Sequence, residues 1–191
     1  MIELAIISGT DRPGANALKV SRYLKREYEM REASVRLLNM QDFPVDAVKG
    51  GPYGKTIPEL EPFVQTILDS DGLVMVIPEY NGSFPGILKL FIDYLPFPDA
   101  FEKLPICFVG ESSGAFGAMR AVEQMQMVAG YRNAYIFPER VFISRVHKNF
   151  DKEQGIRDEF QRKLMKSQID NFVEYVHSLK NDELVSKPMS L

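Results

Sequence analysis

Short apolar runs alternate with segments in which apolar residues recur at helical spacing. Five such runs stand out along the chain, at residues 2–8, 33–38, 72–77, 104–109 and 133–143. The third and fourth runs are nearly continuous in aliphatic and aromatic residues, which is typical of strands covered on both faces. The pattern therefore predicts five strands in a buried parallel sheet.

The segments between the runs carry the i, i+3, i+4, i+7 pattern of amphipathic helices. One helix is predicted over 17–28, and a second over 60–68 behind the capping-box sequence Thr56–Glu59. A last helix is predicted over about 155–179. Residues 39–55 are rich in Pro, Gly, Asp and Lys, which predicts a flexible excursion.

Alternation of five strands with about five helices predicts an α/β fold with a three-layer sandwich. The natural strand order for five strands is the flavodoxin-like order 2-1-3-4-5, in a single domain over residues 1–180 with a flexible C-terminal tail over 181–191. Ligands in such folds bind beyond the carboxyl ends of the strands, at the switch point beside the first and third. This rule selects three loops, 8–16, 78–86 and 110–117.

Composition narrows the classes of partner. The 191 residues carry a formal net charge of −3, which disfavours binding to nucleic acid. The single cysteine, Cys107, lies in the apolar sequence PICFVG, which predicts a buried thiol, and one cysteine is compatible with a reducing compartment. No Cys/His cluster has the spacing of a metal site, no run reaches the ~20 apolar residues of a membrane span, and the N-terminus lacks a secretory signal pattern. We expect a cytoplasmic protein.

The first of the three loops has the residues of a phosphate site. A loop that leads from a buried strand into a helix directs free N–H groups and the positive end of the helix dipole at one point. Ser8 and Thr10 add hydroxyl groups, Arg12 adds a planar cation, and Asn16 can donate from its amide or cap the helix. The alternative is that these are ordinary turn residues and that Arg12 lies in solvent.

The type of phosphate ligand is narrowed by what the first loop lacks. Gly9 and Gly14 have the spacing of a P-loop, but Ala15 and Asn16 stand where the lysine and hydroxyl residue are needed. The dinucleotide fingerprint G-x-G-x-x-G is also missing. A singly phosphorylated ligand fits better than a nucleoside triphosphate.

The second and third loops suit a flat ligand. Glycines and prolines give the second loop a rigid path that a planar ring could approach closely, and its polar and aromatic candidates are Pro78, Glu79, Tyr80, Asn81 and Ser83. The third loop contributes Ser113, Gly114 and Gly117. For both loops the alternative is a tight turn into a helix with no ligand.

The second loop carries a specific resemblance. Its sequence Pro78-Glu-Tyr-Asn-Gly-Ser83, followed by Pro85-Gly86, Leu88-Lys89 and Asp93, resembles the P-E-Y-N-x-S-x-P-G-x-L-K-N-x-x-D signature of the NADPH-dependent FMN reductase family. That family includes azo-dye, quinone and chromate reductases. The first loop is similar to the family's G-S-x-R-P-x-x-N-S sequence. The resemblance covers about residues 1–178.

The resemblance implies a flavodoxin-like fold that binds FMN without a covalent bond. The phosphate would be held by Ser8, Thr10, Arg12 and Asn16, and the ring would be bordered by the candidates of the second and third loops. NADPH or NADH would be the co-substrate, with a flavin, quinone, azo compound or similar small molecule as electron acceptor. Because the cofactor carries the chemistry, no catalytic side chain is implied.

Two alternatives remain open at this point. One is a flavodoxin-type FMN electron carrier, and the other is a non-enzymatic dimeric relative with a vestigial pocket. Ala17 and Leu90 depart from the family pattern, where serine and asparagine are common, and the third loop contains fewer glycines. The helix that follows the second loop is apolar around nearly its whole circumference, so we expect a homodimer or a dimer of dimers that covers the flavin site.

Overall fold

A five-stranded parallel sheet forms the centre of the protein, whose computed structural model describes residues 1–181. Its strands are β1 (Glu3–Ser8), β2 (Ser34–Asn39), β3 (Gly72–Pro78), β4 (Pro105–Glu111) and β5 (Tyr135–Ile143). Their order across the sheet is β2-β1-β3-β4-β5. The flavodoxin-like order predicted from the sequence is confirmed.

The register brings the carboxyl ends of the strands to one edge. Ser8 at the end of β1 pairs with Val76, two residues before the end of β3. Pro78 at the end of β3 pairs with Glu111 at the end of β4, and Glu111 pairs with Ile143 at the end of β5. The loops that follow β1, β3 and β4 therefore begin side by side.

Helices cover both faces of the sheet. They are α1 (Asn16–Glu29), α2 (Glu61–Leu68), α3 (Gly86–Asp93), α4 (Met119–Tyr131), the single turn α5 (Val146–Asn149) and α6 (Glu159–Asn181). Within 1–181 no helix is long and apolar enough to cross a membrane.

Each face of the sheet has its own hydrophobic core, because successive strand residues point to opposite sides. Ile6, Val74 and Cys107 belong to the core shared with α1 and α6. Ile7, Met75 and Phe108 belong to the core on the other side, with residues of α2, α3 and α4. Cys107 is fully buried, as predicted, and burial raises the pKa of its thiol.

The segment 39–55 differs from the expected excursion. It forms short 3-10 turns at Met40–Asp42 and Val45–Val48. Met40, Phe43 and Val48 are buried in the core, and the Tyr94 hydroxyl donates to the Val48 carbonyl at 3.2 Å. Apolar residues spaced between the prolines and glycines tie the first part of this segment to the domain.

Two helix boundaries also differ from expectation. Thr56 does not cap a helix: a 3-10 turn at Pro58–Leu60 precedes α2, and its N-cap Ile57 provides no side-chain hydrogen bond. The last helix begins at Glu159 rather than near 155, because the antiparallel pair β6 (Phe150–Asp151) and β7 (Gly155–Ile156) occupies the segment before it. Of the expected tail, residues 182–191 lie outside the described part of the chain.

Candidate functional site

A cleft of about 500 Å³ lies at the carboxyl edge of the sheet. Residues from all three predicted loops line it, so the loops converge as the switch-point rule requires. The sequence-predicted site residues that line the cleft are Arg12, Asn16, Pro78, Glu79, Tyr80, Asn81, Ser113 and Gly114.

The start of α1 opens onto this cleft. Its N-cap is Ala15, which has no side chain able to accept a hydrogen bond from the first turn. Asn16 is the first helical residue rather than the cap, and it lines the cleft together with the exposed Arg12. The first N–H groups of a helix have no partner within the helix, and the helix dipole adds positive potential there. The arrangement suits an anionic group.

A side-chain hydrogen bond joins the first loop to the second. The Thr10 and Tyr80 hydroxyl oxygens are 2.8 Å apart, and Thr10 Oγ1 also accepts from the Arg12 N–H at 3.2 Å. Thr10 is almost fully buried. Its hydroxyl group therefore positions the loops around the cleft and does not line it.

The second loop is a tight turn. Tyr80 and Ser83 exchange backbone hydrogen bonds of 2.8 and 3.1 Å, and the two residues between them, Asn81 and Gly82, both have positive φ. Positive φ at both central positions is the requirement of a type I′ turn, for which Asn-Gly is the favoured sequence. The turn presents Asn81 and Gly82 to the cleft on a rigid backbone.

The third loop is held by the segment after β5. The Arg145 N–H donates to the Gly114 carbonyl at 2.9 Å, and the Val146 N–H donates to the Ser112 carbonyl at 3.0 Å. These bonds hold the backbone of the loop while Ser113 and Gly114 stay exposed on the cleft side.

Three further predicted residues lie outside the lining of the cleft. Ser83 donates to Gln124 Oε1 at 2.5 Å. Gly117 is buried, and a Cβ atom there would lie 2.8 Å from the Phe142 carbonyl carbon, so its glycine is explained by packing on β5. Ser8 is fully buried at the end of β1, and its Oγ has no hydrogen-bond partner.

Among the cleft residues that were not candidates, two have a large aromatic or a charged side chain. Phe116 is 57% exposed, with the guanidinium carbon of Arg120 5.0 Å from its ring centre. Arg120 also reaches Glu79 at 3.5 Å. The other residue is Glu111, only 5% exposed. The sequence predicted that the fourth strand ends at residue 109. Because β4 extends to Glu111, this carboxylate lies at the end of a buried strand and was not recognised as a candidate.

The Glu111 carboxylate supports the start of α1. It accepts a hydrogen bond from the Ala17 N–H, which lowers its pKa, and nearby Lys19 lowers it further. Desolvation is the larger effect and acts in the opposite direction, so the pKa of Glu111 is raised to about 7. The cleft thus contains a carboxyl group that exchanges its proton near neutral pH.

The fold and the composition of the cleft agree with the comparison to known proteins. A family model described as NADPH-dependent FMN reductase matches residues 2–148. The chain belongs to the NADPH-dependent FMN reductase family. The resemblance seen in the second loop is confirmed.

Two relatives of known name agree with this assignment. A 2-hydroxy-1,4-benzoquinone reductase from Burkholderia sp. is 30% identical over 129 residues, covering 65% of this chain and 70% of the relative. An NAD(P)H-dependent FMN reductase from Pseudomonas aeruginosa is 29% identical over 126 residues, covering 64% and 68%.

A solved structure supports the same architecture. The flavoenzyme FerB, an NAD(P)H:acceptor oxidoreductase from Paracoccus denitrificans, superposes with a TM-score of 0.74 at 22% identity. The match covers 93% of this chain and 98% of the other. At 22% identity, this structural similarity supports the fold alone.

Proposed function

We propose that this member of the FMN reductase family is an enzyme that binds FMN without a covalent bond and uses NADPH or NADH to reduce a small electron acceptor. The acceptor class is a quinone, flavin, azo compound or similar molecule, and the cytoplasm is the proposed location. The observation that carries the proposal is the start of α1, whose N-cap residue Ala15 makes no side-chain hydrogen bond and which faces the same cleft as Arg12, Asn16 and the rigid turn after β3.

The residues at the start of α1 fit a phosphate monoester. Arg12 offers a planar cation and Asn16 an amide donor, and the first turn of α1 adds backbone N–H groups, of which that of Ala17 already donates to Glu111. The buried Ser8 Oγ, which lacks a partner, is a further donor close to this end of the sheet. We assign the phosphate to Ser8, Thr10, Arg12 and Asn16, with Thr10 acting through its bond to Tyr80.

The second and third loops fit the edges of a planar ring. Pro78, Glu79, Tyr80 and Asn81 line one side of the cleft, and Ser113 and Gly114 line another. FMN, when bound, supplies the hydride-accepting ring and the transfer of electrons to the acceptor. The chain holds the phosphate, orients the ring through backbone donors, and limits access of water. No side chain is assigned as an acid or base.

A homodimer, or a dimer of dimers, is part of the proposal. Met127 and Tyr131 lie one turn apart on α4 and are 75% and 81% exposed, and Phe97 after α3 is 64% exposed. The Arg132 guanidinium packs on the Phe97 ring at 5.6 Å, which connects the end of α4 to this residue. Exposed apolar side chains on α4 and after α3 favour contact with a second copy.

Anaerobic addition of NADPH to the FMN-reconstituted protein tests the proposed activity. We expect the visible flavin absorption to bleach, and a quinone added afterwards to restore it. A flavin spectrum that neither NADPH nor NADH changes would indicate an electron carrier. Failure to take up FMN at all would indicate a relative with a vestigial pocket.

A further inference from the structure

Glu111 places a carboxyl group at the point where the proposed phosphate would bind. Its carboxylate accepts from the Ala17 N–H in the first turn of α1, and the residue lines the same cleft as Arg12 and Asn16. A helix start is a single anion site with few free N–H groups. A phosphate dianion and an ionised Glu111 would therefore compete for the same positive potential.

The charges around Glu111 offset only part of this repulsion. The positive charge of Lys19 on α1 lowers the pKa of the Glu111 carboxyl group, but the Lys19 ammonium group also donates to Asn16 Oδ1 at 3.1 Å. On the neighbouring segments, Arg12 follows β1 and Arg145 precedes α5, while Glu79 after β3 adds a negative charge. Glu111 itself is shielded from water. Two buried or half-buried like charges favour protonation of the weaker acid.

We propose that Glu111 links FMN binding to proton uptake, so that the cofactor's phosphate enters at the start of α1 as the Glu111 carboxyl group takes a proton from solvent. This inference rests on the proposed function. It makes Glu111 a positioning residue for the cofactor, with a neutral carboxyl group beside the bound phosphate and an ionised one holding α1 in the FMN-free protein. FMN affinity then falls as pH rises above neutrality.

The test is the pH dependence of the FMN dissociation constant, measured by quenching of flavin fluorescence. A phosphate monoester loses its second proton at about pH 6, so the window from pH 7.5 to 8.5 isolates the protein group. Across that window we expect the affinity of the wild-type protein for FMN to fall roughly five- to tenfold. Riboflavin, which lacks the phosphate, serves as the reference ligand and should change less than about twofold.

Three variants separate Glu111 from the rest of the cleft. Glu111→Gln should bind FMN with less than about a twofold change over the same window. Glu123→Gln removes an exposed carboxylate on α4, outside the cleft, and should keep the wild-type slope. Lys19→Gln removes the cation that lowers the pKa of Glu111, so the fall in affinity should begin at higher pH.

The inference and the proposed function fail in different ways. If the proteins bind FMN but Glu111→Gln keeps the wild-type slope, or the wild type shows no slope, the proton linkage is wrong and the FMN site stands. If no protein binds FMN at any pH while all remain folded by circular dichroism, the proposed function is wrong and the linkage falls with it.

Discussion

Among single residues, Glu111 should have a clear effect on the stability of the protein, even when no cofactor is bound. Its pKa is about 7 in the folded protein against 4.5 for the free side chain, so the folded state binds the proton more tightly. A raised folded-state pKa gives stability that is complete below the unfolded pKa and is lost as pH rises through the folded one.

We therefore predict that the wild-type protein loses stability relative to Glu111→Gln between about pH 4.5 and pH 7. The difference should change by on the order of 3 kcal/mol. Urea unfolding of both FMN-free proteins at several pH values measures it. A constant difference across this range would show that Glu111 titrates normally.

Arg132 is the second residue whose role the structure defines. It is only 7% exposed and donates to the carbonyl oxygens of Ile92, Leu95 and Pro96 at the end of α3. The last carbonyl groups of a helix have no partner within the helix, so this guanidinium group satisfies acceptors that would otherwise be buried without a donor.

Arg132→Met should therefore lower the free energy of unfolding by about 2–4 kcal/mol. Urea unfolding at pH 7 is the measurement, and Arg157→Met is the control. Arg157 has an exposed side chain and a distant ion pair of 3.7 Å with Asp151, so its loss should change stability by less than about 0.5 kcal/mol. Equal effects of the two substitutions would contradict the assigned role.

At the scale of elements, the turn after β3 determines the shape of the cleft. Gly82 has φ +79°, a conformation that side chains disfavour, and no other atom lies within 4 Å of a Cβ placed there. Backbone strain alone should therefore set the cost of a side chain. Gly86 offers a matched control, because its Cβ would also meet nothing within 4 Å but it begins α3 without a positive φ.

Gly82→Ala should destabilise the protein by about 1–2 kcal/mol and weaken FMN binding, because the left-handed conformation is strained for alanine. Gly86→Ala should leave stability unchanged or raise it by up to about 1 kcal/mol, since alanine is a better helix former. Thermal unfolding and FMN titration of both variants make the comparison. A neutral Gly82→Ala would mean that the turn is not held in its type I′ form.

Some features of the strands and helices could be predicted from the sequence and others could not. Strand positions and sheet order followed from periodic apolar runs, because burial on two faces leaves a strong signal. Thr56 failed as a cap, since Pro58 begins a 3-10 turn whose N-cap is Ile57. The core role of Met40, Phe43 and Val48 was hidden by the prolines and glycines among them.

The sequence predicted which loops form the site but not the contacts between individual residues. Sequence patterns identified which segments meet at the cleft, because parallel strands end at one edge. They did not indicate that Gly117 packs on β5 or that Thr10 joins Tyr80, since these contacts connect residues distant in sequence. The assignment of individual residues to FMN remains a prediction.

At the scale of the whole molecule, the exposed apolar side chains predict self-association through α4 and the end of α3. Met127→Glu should shift the protein from dimer to monomer, because it places a charge within the proposed contact. Light scattering coupled to size exclusion measures the mass. Phe160→Glu is the control: it is 68% exposed on α6, on the other face of the sheet, and should leave the mass unchanged.

The central claim is that the three loops form a site for a flat ring bearing one phosphate. Titration of the wild-type protein with FMN and with riboflavin, followed by quenching of flavin fluorescence at pH 6.5, tests it most directly. We predict one FMN bound per chain, with FMN favoured over riboflavin by at least about tenfold, since the phosphate contacts are charge-assisted. Equal affinity for the two flavins, or no quenching at micromolar concentrations, would contradict the account.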